Sequence, residues 1–226
     1  MKQPNISFLD SLFPSEVIIN EVNPAQIQGS IYPEEETFIQ KAVPKRKQEF
    51  IAGRLCVRKA LAKIGITLFP VLMGNDRAPV WPPGVVGSIS HSEGYCGVAI
   101  AQKPNIESIG LDVEYVGQVK RDIWKHFCNQ QELSWINSLP INDQQKIAAL
   151  IFSAKECLYK CQYPISKRWL NFHDVTISAN SNKNEFEARF LVDAGKCFKK
   201  GTCLKGKYLI SNGYVFTGMT LRKNLY

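Results

Sequence analysis

The sequence predicts an α+β fold of two similar lobes, and three observations predict it. A helical stretch is followed by short alternating segments in the first half of the 226 residues. The same order, helix and then alternating segments, returns in the second half. A hydrophobic fraction of 45% with 11% aromatics gives each half enough apolar surface for a core and excludes a disordered chain. The division is placed between residues 108 and 109, giving lobes at 1–108 and 109–226.

Each element has a local reason. Residues 1–32 alternate apolar and turn-forming residues, as short strands and loops do. Over 34–64, Phe38, Ile39, Val43, Phe50, Ile51, Leu55 and Leu61 form a helical stripe closed by Gly65, with Pro44 expected to break or kink it early. Pro70, Pro79, Pro82 and Pro83 mark 68–83 as loop. Residues 84–90 and 95–101 read as strands around a turn at Ser92, Glu93 and Gly94, and 109–115 as a third strand. Segments 121–139 and 143–163 are helical. The second carries the stripe Ile147, Leu150, Ile151, Ala154, Leu158 and Cys161 and is expected to end at Pro164. Beyond Trp169, alternating segments at 186–192, 208–211 and 214–221 predict antiparallel strands.

A formal net charge of +8 favours anionic partners: nucleotides, phosphate-bearing cofactors, nucleic acid or an acidic protein surface. Seven cysteines without a CxxC pair fit neither a disulfide framework nor a zinc site, so reduced and mostly buried thiols are expected. The first residues lack the apolar stretch of a signal peptide, and no apolar run approaches the ~20 residues needed to cross a bilayer. A soluble, cytoplasmic protein is expected.

The residues with chemistry fall in four places. Asp112 and Glu114, two apart on a strand, project from one face while Leu111 and Val113 fill the other. Gly110 beside them leaves space for a close approach. Glu156 and Lys160, four apart on a helix, share a face. Three carboxylates and an ammonium would meet if strand and helix pack together, and carboxylate oxygens are what Mg²⁺ prefers. His91 sits where a strand gives way to a turn, with Ser90 and nearby backbone amides able to hold phosphate. Last, Lys41, Lys45, Arg46, Lys47, Arg54, Arg58 and Lys59 make a basic helix, joined by Arg77 in the following loop. Arg46 and Arg54 lie about two turns apart and suit separated phosphates of one ligand.

Four blocks of this sequence, taken together, resemble the 4'-phosphopantetheinyl transferases of the enterobactin synthetase component D type. They are Ala42-Val-Pro-Lys-Arg46-Lys-Gln-Glu49-Phe50-Ile-Ala-Gly53-Arg54, then Arg77-Ala-Pro79-Val-Trp81 continuing to Gly87-Ser88-Ile-Ser90-His91, then Gly110-Leu-Asp112-Val-Glu114, and Phe152-Ser-Ala-Lys155-Glu156 with Tyr159-Lys160. The resemblance implies a pseudo-dimer of two similar lobes with the active site in the cleft between them. It implies transfer of the phosphopantetheine arm of coenzyme A to a serine of an acyl, aryl or peptidyl carrier protein, with adenosine 3',5'-bisphosphate leaving. Asp112, Glu114 and Glu156 would hold Mg²⁺. Arg46, Arg54, Arg77, Ser90, His91, Asp112 and Lys160 would contact coenzyme A, with Ala78, Pro79, Val80 and Leu170 offering backbone to the nucleotide. Lys155 is expected at the diphosphate, Glu156, directly or through a metal-bound water, as the base with Lys160 beside it, and Cys157 as an inert packing residue.

By the same resemblance the partners are coenzyme A and apo carrier proteins with an acidic surface, in siderophore, nonribosomal peptide, polyketide or fatty-acid synthesis. A monomer is expected, since two lobes complete their own cleft. The rival readings are an idle scaffold that binds carrier or coenzyme A, and a basic nucleic-acid-binding module. Against the second, aromatic residues do not interleave with the basic ones as a stacking platform requires.

Overall fold

The computed structural model describes residues 7–223, so the expected strand-and-loop segment at 1–6 lies outside the described residues. The architecture is α+β, two antiparallel sheets each backed by one long helix. The first lobe runs through strand β1 (Ile18–Val22), helices α1 (Pro33–Glu36) and α2 (Pro44–Ala62), and the hairpin β2 (Val85–Ser92) and β3 (Tyr95–Gln102). Its sheet has the order β1-β3-β2. The second lobe has strand β4 (Ser108–Tyr115), the short helices α3 (Trp124–Phe127) and α4 (Gln130–Asn137), and the long helix α5 (Ile141–Ser166). Strands β5 (Val175–Asn180), β6 (Glu185–Phe190), β7 (Cys203–Ser211) and β8 (Tyr214–Leu221) complete a sheet of order β4-β8-β7-β6-β5. A strand therefore precedes the long helix in each lobe, where the sequence pattern had helix first.

The prolines explain two differences from the expected boundaries. Pro44 opens α2 rather than kinking a longer helix, because the first turn needs no N–H donor and φ near −65° suits it. Residues 37–43 thus separate α1 from α2. Pro164, expected to end α5, lies inside it. A proline in the last turn removes one hydrogen bond and leaves earlier turns intact, so the helix stops at Lys167 instead. That residue takes the left-handed conformation (φ 53°) and donates its N–H to the Tyr163 carbonyl at 2.9 Å.

Among the described residues four apolar clusters hold these pieces, the smallest being Ile31, Ile39, Phe50 and Leu55 on and beside α2. Ala52, Cys56, Val57, Ala60 and Leu61 of α2 pack on Cys96, Val98 and Ile100 of β3. The α5 stripe, with Leu150, Ile151, Ala154, Leu158 and Cys161 buried as expected, packs on Phe186, Phe190, Val215 and Met219. Another cluster lies between the lobes: Ile109, Leu111 and Val113 of β4 meet Ala99, Ala101, Leu9, Phe13 and Phe216. The opposite face of β4 meets α5 at very short range. A methyl group at Gly110 would collide with the Cys157 carbonyl, which is the close approach its glycine permits. All seven cysteines are free thiols, five of them buried. Among the described residues no helix is long and apolar enough to cross a membrane.

Candidate active site

The lobes are joined along β2 and β4 by side chains instead of a backbone ladder. Ser88, Ser90 and Ser92, at alternate positions, face the β4 backbone. The Ser88 hydroxyl accepts the Leu111 N–H at 3.0 Å, the Ser90 hydroxyl accepts that of Val113 at 3.2 Å, and the Ser92 hydroxyl accepts that of Tyr115 at 3.0 Å. This seam fixes where the even-numbered residues of β4 stand relative to the first lobe. Ser90 also donates to Asp112 Oδ1 at 2.9 Å and is buried. It was expected to hold phosphate; instead its oxygen is occupied by Asp112, the Val113 amide and the Lys160 ammonium at 3.2 Å.

The predicted meeting of strand and helix takes place. Lys160 Nζ stands 2.7 Å from Asp112 Oδ1 and donates to the Leu111 carbonyl at 3.2 Å. Asp112 is 3% exposed, and its Oδ2 is buried without a hydrogen bond. Glu114 follows on the same face. Burial first, then the Asp112 charge, pushes its pKa up to about 8, with Glu156 adding repulsion. Burial also raises Glu156, which Lys160 opposes and Asp112 reinforces. Both glutamates therefore favour a proton or a nearby cation.

A pocket of about 470 Å³ opens from this seam between α2, the loop after α2, and α5. Arg46, Arg54, Arg77, Ala78, Pro79, His91, Glu156 and Lys160 line it. Arg77 holds φ at 64° in a loop closed by the Arg77 N–H on Gly74 O at 2.8 Å and the Gly74 N–H on Ala78 O at 2.9 Å. Val80 contributes its N–H to Leu72 O at 2.9 Å, so its amide is committed to the loop. Arg46 Nη1 lies 2.5 Å from His91 Nε2, and Glu49 Oε2 lies 3.5 Å from His91 Nδ1. A guanidinium donor requires an unprotonated Nε2. The His91 pKa is accordingly lowered, by burial first, with Glu49 pulling the other way and Arg46 adding to the fall.

Two residues expected at the coenzyme lie outside this pocket. Lys155 is buried with its ammonium on the Phe127 carbonyl, Glu132 Oε2 and the Phe172 carbonyl, at 2.8, 2.7 and 2.8 Å. Its three donors are spent inside the second lobe, and it borders a cavity other than the one the arginines line. Leu170 lines a separate cavity of about 600 Å³ with Leu158, Phe172, Val175, His126 and His173. Glu156, Tyr159 and Trp169 border both cavities. Cys157 is fully enclosed, and burial raises its thiol pKa well above the ordinary value, in keeping with an inert packing role.

Sequence reasoning missed Glu35, Glu49, Glu132, Tyr159 and Trp169 as parts of these sites. The aromatic shelf of Tyr159, Tyr163 and Trp169, with ring centroids 5.3 and 5.1 Å apart, had a partial signal in its i, i+4 spacing. Glu35 and Glu132 had none, because surface-like PEEE and QQEL strings give no sign of burial.

A hard divalent cation fits this donor set in chemistry: three carboxylates within each other's field, one buried carboxylate oxygen without a partner, and two glutamates resisting ionisation. Among the described residues, however, no three such side chains already converge as a metal cage. The cation that Asp112 holds is Lys160.

Comparison with known proteins supplies the family. Residues 34–101 match the 4'-phosphopantetheinyl transferase N-terminal domain, and residues 108–216 match the 4'-phosphopantetheinyl transferase superfamily. The chain is 32% identical over 221 residues to 4'-phosphopantetheinyl transferase Npt of Nocardia iowensis, covering 93% of this chain and 98% of that protein. It is 31% identical over 196 residues to 4'-phosphopantetheinyl transferase PptT of Mycobacterium tuberculosis, covering 84% and 85%. Over 124 residues it is 33% identical to enterobactin synthase component D of Escherichia coli, covering 54% and 57%. With both lobes matched in order and one relative aligned over nearly its whole length, this chain belongs to the 4'-phosphopantetheinyl transferases.

Proposed function

We propose that the chain performs the family's transfer at the β2–β4 seam, with coenzyme A laid across the two cavities that Glu156, Tyr159 and Trp169 share. The activity is transfer of 4'-phosphopantetheine from coenzyme A to a carrier-protein serine. The observation that carries the placement is this shared border. Coenzyme A has a nucleotide rich in phosphate, a diphosphate, and a long arm that carries amides between apolar stretches; one cavity is lined by arginines, the other by Leu158, Leu170 and Phe172 among polar residues such as Lys155 and His126, and a carboxylate stands between.

In this reading Arg46, Arg54 and Arg77 grip nucleotide phosphates, and neutral His91 completes that wall. Asp112, Glu114 and Glu156 would hold Mg²⁺, which when bound supplies neutralisation of charge on the diphosphate and the leaving group. Lys160 adds positive charge at the same point. Glu156 takes the proton of the incoming serine hydroxyl, a role helped by its raised pKa. The serine oxygen bonds to the phosphorus that carries the arm, and the bond from that phosphorus to adenosine 3',5'-bisphosphate breaks. Positioning and charge neutralisation supply most of the barrier lowering.

The acceptor is an apo carrier protein with an acidic surface, of siderophore or nonribosomal peptide assembly, met by a chain of net charge +8. The chain works as a cytoplasmic monomer, since its cleft is built from its own two lobes. An idle scaffold is disfavoured by the full set of carboxylates and Lys160, and a nucleic-acid module by the family match. The test incubates the protein with coenzyme A, Mg²⁺ and a panel of apo aryl, peptidyl and acyl carriers, and weighs the carriers by mass spectrometry. One added phosphopantetheine is expected, abolished by EDTA. No gain on any carrier, or an equal gain in EDTA, would refute the reading.

A further inference from the structure

Behind the nucleotide pocket, one buried carboxylate joins two of its walls. Glu35, in α1, is 2% exposed. Its Oε1 accepts the Val71 N–H at 2.9 Å and lies 3.9 Å from Arg54 Nε. Its Oε2 accepts the Tyr32 N–H at 3.0 Å and an Arg58 N–H at 3.4 Å. Val71 begins the stretch that turns back through Gly74 and Arg77 and sets Arg77, Ala78 and Pro79 against the pocket. Arg54 enters the same pocket from α2.

Glu35 is the carboxylate that pairs with Arg54, at ion-pair distance and without a hydrogen bond. The Arg54 Nε has no hydrogen-bond partner, and its guanidinium lies 4.2 Å from the Phe50 ring centroid. Burial lowers its pKa to about 10, and the Glu35 charge opposes that fall, so the guanidinium remains cationic at neutral pH. A carboxylate buried this deeply is costly unless donors and charges surround it. Arg58 and the Tyr32 amide alone would meet that need at the protein's outer side, where Arg58 also stacks 4.0 Å from the Tyr32 ring. The reach to Val71 and Arg54 is what ties Glu35 to the pocket.

We propose that Glu35 is a positioning residue for coenzyme A: it sets the Arg54 guanidinium and anchors the loop at 71–80, so that both walls meet the nucleotide phosphates in one geometry. Glu35 itself touches no substrate. The proposal rests on reading this pocket as the coenzyme site.

The test measures coenzyme A binding to the full chain in Mg²⁺ buffer by titration calorimetry, with steady-state transfer kinetics alongside. The proteins are wild type, Glu35→Gln, Arg54→Ala and the double variant. Glu35→Gln keeps size and one acceptor but removes the charge. Its Kd and KM for coenzyme A are expected to rise about tenfold while kcat stays within about twofold. The double variant is expected to lose less than the product of the two single losses, because part of each acts through the other. Unchanged Kd in folded Glu35→Gln, a loss confined to kcat, or full multiplication in the double variant overturns the proposal. Wild-type binding by Arg54→Ala removes the coenzyme-site reading itself, and the proposal with it. Should Glu35→Gln not fold, Glu35→Asp keeps the charge but shortens its reach. A smaller rise in Kd is expected there, and an unchanged Kd overturns the proposal.

Discussion

Lys160 and Asp112 meet across the joint between helix and strand, Nζ to Oδ1 at 2.7 Å, and leave Asp112 Oδ2 buried without a partner. One oxygen of the carboxylate is thus committed to Lys160 and the Ser90 hydroxyl, and the other is free to accept a ligand. The pair draws α5 and β4 together at the residues on which the proposed chemistry turns. Lys160 also stands where it would shield repulsion between Asp112 and Glu156, since both of their fields act on it.

Asp112→Asn keeps the shape of this side chain and removes its charge. Transfer to a carrier is expected to fall by about two orders of magnitude or more, with the far-ultraviolet circular dichroism unchanged. A rate near wild type, measured by carrier mass against time, would show that Asp112 is not at the reacting centre.

The raised pKa of Glu114 predicts a pH dependence of stability with a definite sign. Its folded value of about 8 lies above the ordinary glutamate value of 4.5, so the folded state binds more protons between these values. Stability must then fall as pH rises through that window. Without metal, the melting midpoint is expected to drop from pH 5 to pH 8. Glu114→Gln should flatten that slope, and Mg²⁺ should raise the wild-type midpoint more at pH 8 than at pH 5. Parallel slopes for wild type and Glu114→Gln in EDTA would contradict this.

Lys155 separates a structural role from a catalytic one. Removing one partner of a buried ion pair costs about 3–5 kcal/mol, and Lys155 with Glu132 is such a pair at 2.7 Å. Lys155→Met should lower the urea midpoint strongly, while the protein that remains folded keeps its KM for coenzyme A within about twofold. A normal midpoint with a large rise in KM would return Lys155 to the diphosphate.

Gly110 tests the closeness of α5 to β4. Gly110→Ala places a methyl group on the Cys157 carbonyl, a backbone atom that cannot turn aside. A loss of about 1–3 kcal/mol or more is expected in chemical denaturation, as overpacking costs. A neutral substitution would mean that β4 and the α5 backbone are not in contact at this residue.

The sequence by itself determined the elements and their faces. The stripe on α5, the alternation of β4 and the glycine at 110 are local patterns of period 3.6 and 2, and they survive folding because backbone geometry sets them. It also held the family's blocks, and with them Arg46, Arg54, Arg77, His91, Asp112, Glu156 and Lys160, which the fold brings to one seam. Only the tertiary structure decided which polar groups are spent inside the protein. Ser90 turns to Asp112 and Lys155 to Glu132, because each is committed by partners between 17 and 70 residues away. Glu35 is the sharpest case: three consecutive glutamates look alike in the chain, yet only the middle one points inward, where two arginines and the Val71 amide make burial of its charge tolerable. Periodicity is written along the chain, whereas the desolvation of a charge and the choice of its partner depend on residues that meet only when the lobes close.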